Sequence, residues 1–177
     1  MKCAAFLRAI NVGGHVVKMD ALRRHFEQMQ FTSVQTFIAS GNVVFESSSR
    51  STAKVEQAIE NSLQAALGYP VTTFVRTLPE LVDLVQHPAF SDAALEEGPT
   101  MYVVFVREKP STAVARALVA GATGVDTFQV HDRHVFWFVR GSFSDSAFAG
   151  PRLEKVLGMP ATVRNASTVR KLAAKFG

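Results

Sequence analysis

The spacing of apolar residues in the first half of the chain predicts the order strand, helix, strand, strand, helix, strand. Residues 3–10 form an apolar run that is typical of a buried strand, and from Lys18 onward apolar residues recur every three or four positions, which indicates one face of a helix. Ser40-Gly41 separates two further apolar runs and predicts a hairpin. The remaining elements are predicted as strands at 34–39, 42–46 and 71–75 and a helix that stops at Gly68.

The same order of elements returns after residue 99, beginning with an apolar run at 101–107. A pair of strands surrounds the polar turn His131-Asp132-Arg133, and Asn165 is placed to cap a final helix. The remaining elements of this half are predicted as strands at 125–130, 134–139 and up to Val163 and helices at 111–120 and 151–157.

Between the halves, residues 88–99 show no convincing period and are predicted to be a linker. Thr77-x-x-Glu80 predicts a capping box, which begins a short helix that ends before Pro88. The predicted domains are therefore an N-terminal half at 1–87 and a C-terminal half, with its final helix, at 100–177.

Four pairs of segments match between the halves in the same order. They are AAFLR at 4–8 with VVFVR at 103–107, VQTF at 34–37 with VDTF at 125–128, Val44-Phe45 with Val135-Phe136, and LGYPVTTFVR at 67–76 with LGMPATVR at 157–164. Any one match between strand sequences can arise by chance, because strands draw on few residue types. Four matches in order indicate an internal duplication.

A βαββαβ unit with right-handed crossovers gives a four-stranded antiparallel sheet with both helices on one face. The predicted fold is therefore α+β, with two ferredoxin-like halves related by internal duplication. The composition agrees with a folded chain, since 47% of the 177 residues are hydrophobic and 19% are charged.

Composition also narrows the expected cellular setting. No apolar run approaches the roughly 20 residues that span a bilayer, so no membrane segment is expected. Cys3 is the only cysteine, which excludes an internal disulfide and suits a reduced, cytoplasmic protein. Because Cys3 lies in an apolar strand, it is predicted to be a core residue rather than a reactive thiol.

Basic residues are concentrated in the second half. Residues 1–99 hold eight basic and ten acidic side chains, whereas residues 100–177 hold eleven and five, and the chain carries a net charge of +4. Such a surface attracts anions, and nucleic acid is one alternative partner, because exposed aromatics on a ferredoxin-like sheet can stack bases. A solvated helical face is the simpler interpretation of the charge, and Trp137 with its phenylalanine neighbours is predicted in the core.

In this topology the first crossover loop and the first hairpin emerge from the same end of the sheet. Glycine N–H groups and a helix N-terminus favour an anion there, and Arg8 offers a planar donor fork for phosphate or carboxylate. The same residues also have a purely structural interpretation, in which they form turns and Arg8 pairs with an acid. The candidate ligand-binding residues of the two segments are Arg8, Asn11, Gly13, Gly14, His15, Ser40, Gly41 and Asn42.

Common catalytic signatures are absent from the sequence. It contains none of the patterns G-x-x-x-x-G-K-[ST], G-x-G-x-x-G and G-x-S-x-G. The five histidines show no strong metal-ligand spacing, so neither a metal nor a cofactor is predicted. An enzyme that acts on a phosphorylated small molecule stays open as an alternative, although no base or nucleophile stands out.

Three segments resemble a known family: LRAINVGGHVVKM at 7–19, FIASGNVVFES at 37–47 and ATVRNASTVRKLAA at 161–174. The family is the bacterial one called domain of unknown function 1697, and the resemblance spans nearly the whole chain. It implies paired ferredoxin-like domains and no assigned reaction. Besides the loop and hairpin residues, the motif positions are Lys18, Arg164, Asn165, Thr168 and Lys171, of which Lys18, Arg164 and Asn165 join the candidate ligand-binding residues.

The chain departs from the pattern of this family at three places. Ala9 stands where glycine is expected, and His15 stands where the loop often has lysine. Ala166-Ser167 replaces an expected Trp-Asn pair, which weakens any ligand contact that the aromatic would provide.

The leading hypothesis is a protein that binds a small anionic or phosphate-bearing ligand at the first crossover loop. Residues 11–15 of this loop have only a shorter counterpart in the second half, Glu108-Lys109-Pro110, which lacks glycine. Because the rest of the repeat is explained as scaffold, this difference between the copies is the best pointer to function.

Overall fold

The computed structural model describes residues 1–11, 13–38, 41–91 and 98–177. The chain groups into two compact units, one formed by residues 1–84 with 172–177 and the other by residues 85–171. Each unit contains one four-stranded antiparallel sheet.

The first sheet has the strand order β2-β3-β1-β4, with every neighbouring pair antiparallel. This order is the ferredoxin-like one, because each helix crosses over one strand of the sheet. Its elements are β1 (Lys2–Leu7), α1 (Met19–Gln28), β2 (Thr32–Thr36), β3 (Asn42–Glu46), α2 (Thr52–Leu67), β4 (Thr73–Thr77) and α3 (Leu78–Val85).

The second sheet repeats the arrangement, with the order β6-β7-β5-β8. The predicted α+β fold with two ferredoxin-like halves is thus confirmed. Its elements are β5 (Thr100–Val106), α4 (Thr112–Ala120), β6 (Asp126–His131), β7 (His134–Val139), α5 (Arg152–Leu157), β8 (Ala161–Asn165) and α6 (Ala166–Phe176).

The core of the first unit lies between the sheet and its two crossover helices. Leu22 of α1 and Ile59 of α2 pack with Ala5 and Phe45 of the sheet in one cluster of buried residues. Strand residues alternate between the faces, so Phe6 belongs to the opposite face, and it is buried as well. Cys3 lies in the helix-facing cluster with no exposed surface, as predicted, and burial raises the pKa of its thiol to about 11.

Strand pairing confirms two of the four predicted segment matches. Ala4 pairs with Arg76 in the first sheet, and Val103 pairs with Arg164 in the second. The segments 4–8 and 103–107 therefore correspond, as do the arginines that end LGYPVTTFVR and LGMPATVR.

The pairing corrects the match in the third strand of each half. Ala4 pairs with Val44, whereas Val103 pairs with Phe136. Val44 therefore corresponds to Phe136, and its predicted match with Val135 is wrong by one residue.

The edge strands are displaced further. Gln35 pairs with Val44 and Gln129 pairs with Phe136, so Gln35 corresponds to Gln129, and the predicted match with Asp126 is wrong. The cause is the length of the hairpin connection: six residues lie between the paired Thr36 and Val43, and four lie between Val130 and Val135.

Several predicted boundaries of the first half are also corrected. β1 ends at Leu7 rather than at residue 10, because Ala9 turns the chain with a left-handed φ of 54°. β2 covers Thr32–Thr36 rather than 34–39, and Ile38 has a left-handed φ of 56°. β4 covers Thr73–Thr77 rather than 71–75. The glycine expected at position 9 has a physical reason, since this backbone conformation costs an alanine more than a glycine.

The predicted helix boundaries that depend on capping are confirmed. Thr77 and Glu80 form the capping box, since the Glu80 N–H donates to Thr77 Oγ1 (3.3 Å) and the Thr77 N–H donates to Glu80 Oε2 (3.2 Å). Asn165 caps α6 by accepting a hydrogen bond from the Ser167 N–H at 2.8 Å. α2 ends at Gly68, whose φ of 80° is left-handed.

Part of the predicted linker has regular structure. Pro88–Phe90 form a single 3₁₀ turn, and the Phe90 ring packs edge-on against Phe136 at 5.7 Å between ring centroids. Residues 92–97 of the linker lie outside the described residues. Among the helices in the described parts of the chain, none is both long and apolar enough to cross a membrane.

Candidate functional site

The end of β1 and the turn that leads into β3 lie together, as the topology predicts. The Leu7 N–H donates to the Gly41 carbonyl at 2.8 Å, and Phe6 pairs with Asn42 across the sheet. Gly41 has a left-handed φ of 75°, and a Cβ added to it would lie 3.0 Å from Ile10 Cγ2 and 3.1 Å from Leu7 Cβ. Only glycine fits this close approach between the hairpin and the crossover loop.

Asn42 has a structural role in the hairpin. Its side chain is fully buried and donates from Nδ2 to the Phe37 carbonyl at 3.0 Å. The Phe37 N–H donates in turn to the Asn42 carbonyl at 2.9 Å, so the two residues close the turn. Ser40, another predicted site residue, lies outside the described residues, as does Val12 of the loop.

The crossover loop is folded back on itself. Asn11 Oδ1 accepts a hydrogen bond of 2.7 Å from the Val17 N–H, which ties the two ends of the loop together. Gly13 and Gly14 have left-handed φ values of 71° and 87°, and a Cβ added to either would have no heavy atom within 4 Å. These glycines are therefore needed for the path of the backbone, and no described residue beyond their chain neighbours fills the space beside them.

His15 stacks on Tyr69, a residue that the sequence reasoning missed. The two rings lie 3.9 Å apart at an angle of 26°, and the Tyr69 hydroxyl donates to the Ile10 carbonyl at 3.1 Å. One signal in the sequence could have found it: the matched segments place Tyr69 where the second half has Met159. Tyr69 thus braces the loop from beneath.

The charged candidates lie at the two ends of the loop. Arg8 is half-buried at the end of β1, and its N–H donates to the Thr72 carbonyl at 2.9 Å. Lys18 is exposed and forms the N-cap of α1 without a side-chain capping bond, whereas Ser51 and Ser111 cap α2 and α4 with their hydroxyls. The side chain of Lys18 therefore does not cap the backbone N–H groups at the start of α1.

Positive charge predominates in the segments that form this end of the sheet. Residues 8–18 contain one arginine, one lysine and one histidine without any acid, and residues 37–45 contain no charged residue. Two acids lie beside them, Asp20 in the first turn of α1 and Glu60, whose Oε1 accepts from the Thr73 N–H at 2.9 Å. The described residues contain no group of three or more His, Cys, Asp or Glu placed to hold a metal ion.

Arg164 and Asn165 belong to β8 of the second unit and serve its scaffold. Arg164 is buried and donates to Thr162 Oγ1 (2.8 Å) and to the Val163 carbonyl (2.9 Å). Burial lowers the pKa of its guanidinium to about 10. Its counterpart Arg76 is buried as well, with Nε lying 3.6 Å from Glu80 Oε1, so the pair repeats a structural feature.

Most of the large aromatic side chains of the second sheet are withdrawn from solvent. Phe105, Phe136 and Trp137 are fully buried, as predicted for Trp137 and Phe136, whereas the neighbouring Phe138 is half-buried. Some basic side chains of this half also have partners within it: Arg152 lies over the Phe148 ring at 4.6 Å, and Arg170 donates to the carbonyl of Phe90. Nucleic-acid binding by the basic half stays a prediction.

The fold and this loop define a class of protein. It is a duplicated ferredoxin-like protein in which one crossover loop is longer and contains glycines. The chain belongs to the DUF1697 family, proteins of unknown function, whose sequence profile matches residues 1–136. No curated protein matches the sequence. A solved structure, that of the conserved bacterial protein SP0830 from Streptococcus pneumoniae, is similar with a TM-score of 0.79 and 21% identity, over 99% of this chain and 98% of that one. At this identity the likeness supports the fold alone.

Proposed function

We propose that this protein binds a small anionic, phosphate-bearing ligand at the end of the first sheet where the crossover loop meets the hairpin. The observation that carries the proposal is the loop itself. It places two glycines, with no described side chain packed against them, between Arg8 and Lys18, and the second half has no loop like it. A loop needed only to connect β1 with α1 would not require this elaboration, since Glu108-Lys109-Pro110 makes the corresponding connection.

The chemistry of the loop suits an anion. Backbone N–H groups at glycines can approach a phosphate closely because no Cβ intervenes, and the start of a helix adds partial positive charge. Lys18 stands at that start, and His15 is held beside the loop by Tyr69. These groups supply donors of the kind that recognise phosphate, and binding of such a ligand is therefore proposed.

Thermal unfolding of protein purified without phosphate or sulfate tests the proposal. Inorganic phosphate, adenosine monophosphate and glucose 6-phosphate serve as probes. A ligand at a hundredfold excess over its Kd stabilises the folded state by about 2.7 kcal/mol. In a chain of this size the Tm should rise by about 5–10 °C.

Two variants and one matched control locate the effect. Lys18→Gln and His15→Ala each change an exposed side chain of the loop and should weaken the stabilisation. Lys109→Gln makes the same charge change as Lys18→Gln in the short connection of the second half and should leave it unchanged. The proposal fails if no probe raises the Tm of the wild type, or if Lys109→Gln weakens the shift as much as Lys18→Gln does.

A further inference from the structure

A groove runs along the edge of the second sheet, between α4 and the edge strand β6. Its floor and walls are mostly apolar, and Val119 on α4 is 55% exposed. Arg116 is the one charged residue among those that line it. The apolar part of the lining comes from Ala115, Val119 and Ala120 of α4 and from Phe128 and Val130 of β6.

The backbone of β6 offers hydrogen-bonding groups along this groove. In an antiparallel pair the backbone groups of every second residue bond to the partner strand. The Arg140 N–H donates to the Val125 carbonyl at 2.8 Å. In the register of β6 and β7, the odd-numbered residues of β6 are therefore those whose backbone groups point toward β7. Asp126 faces outward, and both its backbone groups are bonded to Thr123 at 2.9 Å. The backbone N–H and C=O groups of Phe128 and Val130 also point away from β7, and they have no further backbone partner among the described residues.

The corresponding edge of the first unit is protected. β2 is interrupted by a register shift between Thr32 and Gln35, and Ser33 within it has a left-handed φ of 52°. Irregularities of this kind prevent another strand from pairing with an edge. β6 pairs with β7 without a shift over all six of its residues, so the second edge remains regular.

The two flanking helices differ in the same sense. α1 (Met19–Gln28) carries the charged residues Asp20, Arg23, Arg24 and Glu27, whereas α4 carries only Arg116. Charged side chains disfavour the docking of an apolar strand, and their near absence from α4 leaves the groove suited to one.

We propose that the groove between α4 and β6 binds an extended peptide segment, which adds to the sheet as a strand beside β6. The N–H and C=O groups of Phe128 and Val130 provide the pairing, and alternate apolar side chains of the peptide enter the groove. An acidic side chain on the same face of the peptide meets Arg116. A second copy of this chain suits the groove less well, because a symmetric pair of β6 strands would bring two Arg116 side chains together without an acid among the lining residues.

Fluorescence anisotropy with a labelled hexapeptide tests the proposal. The sequence Thr-Val-Thr-Glu-Thr-Val places its two valines and its glutamate on one face of a strand and its threonines on the other. The wild type should bind this peptide with saturation and should bind the lysine version, Thr-Val-Thr-Lys-Thr-Val, about tenfold more weakly. Arg116→Glu should reverse that preference, because the charge in the groove is then negative.

Arg24→Glu provides the matched control, since it makes the same charge change at an exposed position of α1 and should leave the preference unaltered. Amide exchange gives a second readout: the peptide should slow exchange at Phe128 and Val130, the two outward-facing amides. Four results would overturn the proposal. They are no saturation below about 1 mM peptide, equal effects of Arg116→Glu and Arg24→Glu, slowed exchange only elsewhere in the chain, and a concentration-dependent dimer that protects β6 without any peptide.

Discussion

Gly41 and Gly13 have nearly the same left-handed backbone but very different surroundings. Gly41 lies where a Cβ would approach Leu7 and Ile10 to about 3 Å, whereas among the described residues beyond its chain neighbours none lies within 4 Å of a Cβ at Gly13. Replacing either glycine by alanine should therefore strain the backbone, whereas only replacement of Gly41 should also cause a steric clash.

Substitution of the two glycines should separate these costs. Gly13→Ala should lower the free energy of unfolding by about 1 kcal/mol, and Gly41→Ala should lower it by about 3 kcal/mol, because the second adds overpacking to the backbone strain. Urea denaturation of both variants measures the difference. Equal losses would show that the hairpin moves away from the loop at little cost.

Cys3 should react slowly in the folded protein. Burial raises the pKa of its thiol from 9.0 to about 11, so at pH 8 the thiolate is about a hundredfold rarer than in the unfolded chain, in addition to being shielded from reagents. Labelling with iodoacetamide, with and without urea, gives the ratio of rates. As the pH rises above about 9 the unfolded thiol ionises first, so this group then lowers stability. Comparable labelling rates in the two states would contradict the burial of Cys3.

At the scale of elements, the last helix of each half begins with a capping residue that follows a strand directly. Thr77 precedes α3 and Asn165 precedes α6, and both occupy the position after a buried arginine. The sequence predicted both caps because a cap is a contact between residues two or three apart, which requires no knowledge of the fold.

Asn165→Ala should lower the free energy of unfolding by about 1 kcal/mol, because the Ser167 N–H then loses its acceptor within the protein. Asn165→Asp is the matched control, since a carboxylate accepts the same bond and is favoured at a helix N-terminus. Thermal denaturation of both variants tests the cap. A loss in the aspartate variant as large as that in the alanine variant would assign Asn165 some other role.

At the scale of the whole molecule, the order of the chain does not coincide with its compact units. Residues 172–177, the end of α6, group with residues 1–84, although the sequence predicted that they belong to the C-terminal half. Phe176 packs edge-on against Phe37 at 5.6 Å, and its carbonyl accepts a hydrogen bond of 2.7 Å from Lys2 Nζ.

Phe176→Ala should therefore destabilise the first unit. Loss of this nearly buried ring should cost about 3 kcal/mol, and amide exchange should quicken in β1 and β2 rather than only near the mutated helix. Val16→Ala, at a valine that is 81% exposed, should change stability by less than about 0.5 kcal/mol. Faster exchange confined to the end of α6 would mean that Phe176 does not contribute to the stability of β1 and β2.

The sequence determined what depends on neighbouring residues. The order of the elements, the duplication, the caps at Thr77 and Asn165 and the stop at Gly68 all follow from side chains within about one helical turn or one strand. The meeting of the crossover loop with the hairpin also followed, because the βαββαβ topology allows few alternatives.

Tertiary structure decided the features that join residues distant along the chain. The match of Val44 with Phe136 depends on hydrogen bonds between strands and on the length of a hairpin turn, neither of which is encoded in the spacing of apolar residues. The stacking of His15 on Tyr69 and the burial of Arg164 likewise required the folded chain, because partners and solvent exposure are set by packing. The longer loop of the first half is visible in the sequence, but its contact with Tyr69 is set by the folded chain. The position of β6 at the edge of its sheet likewise follows from strand pairing.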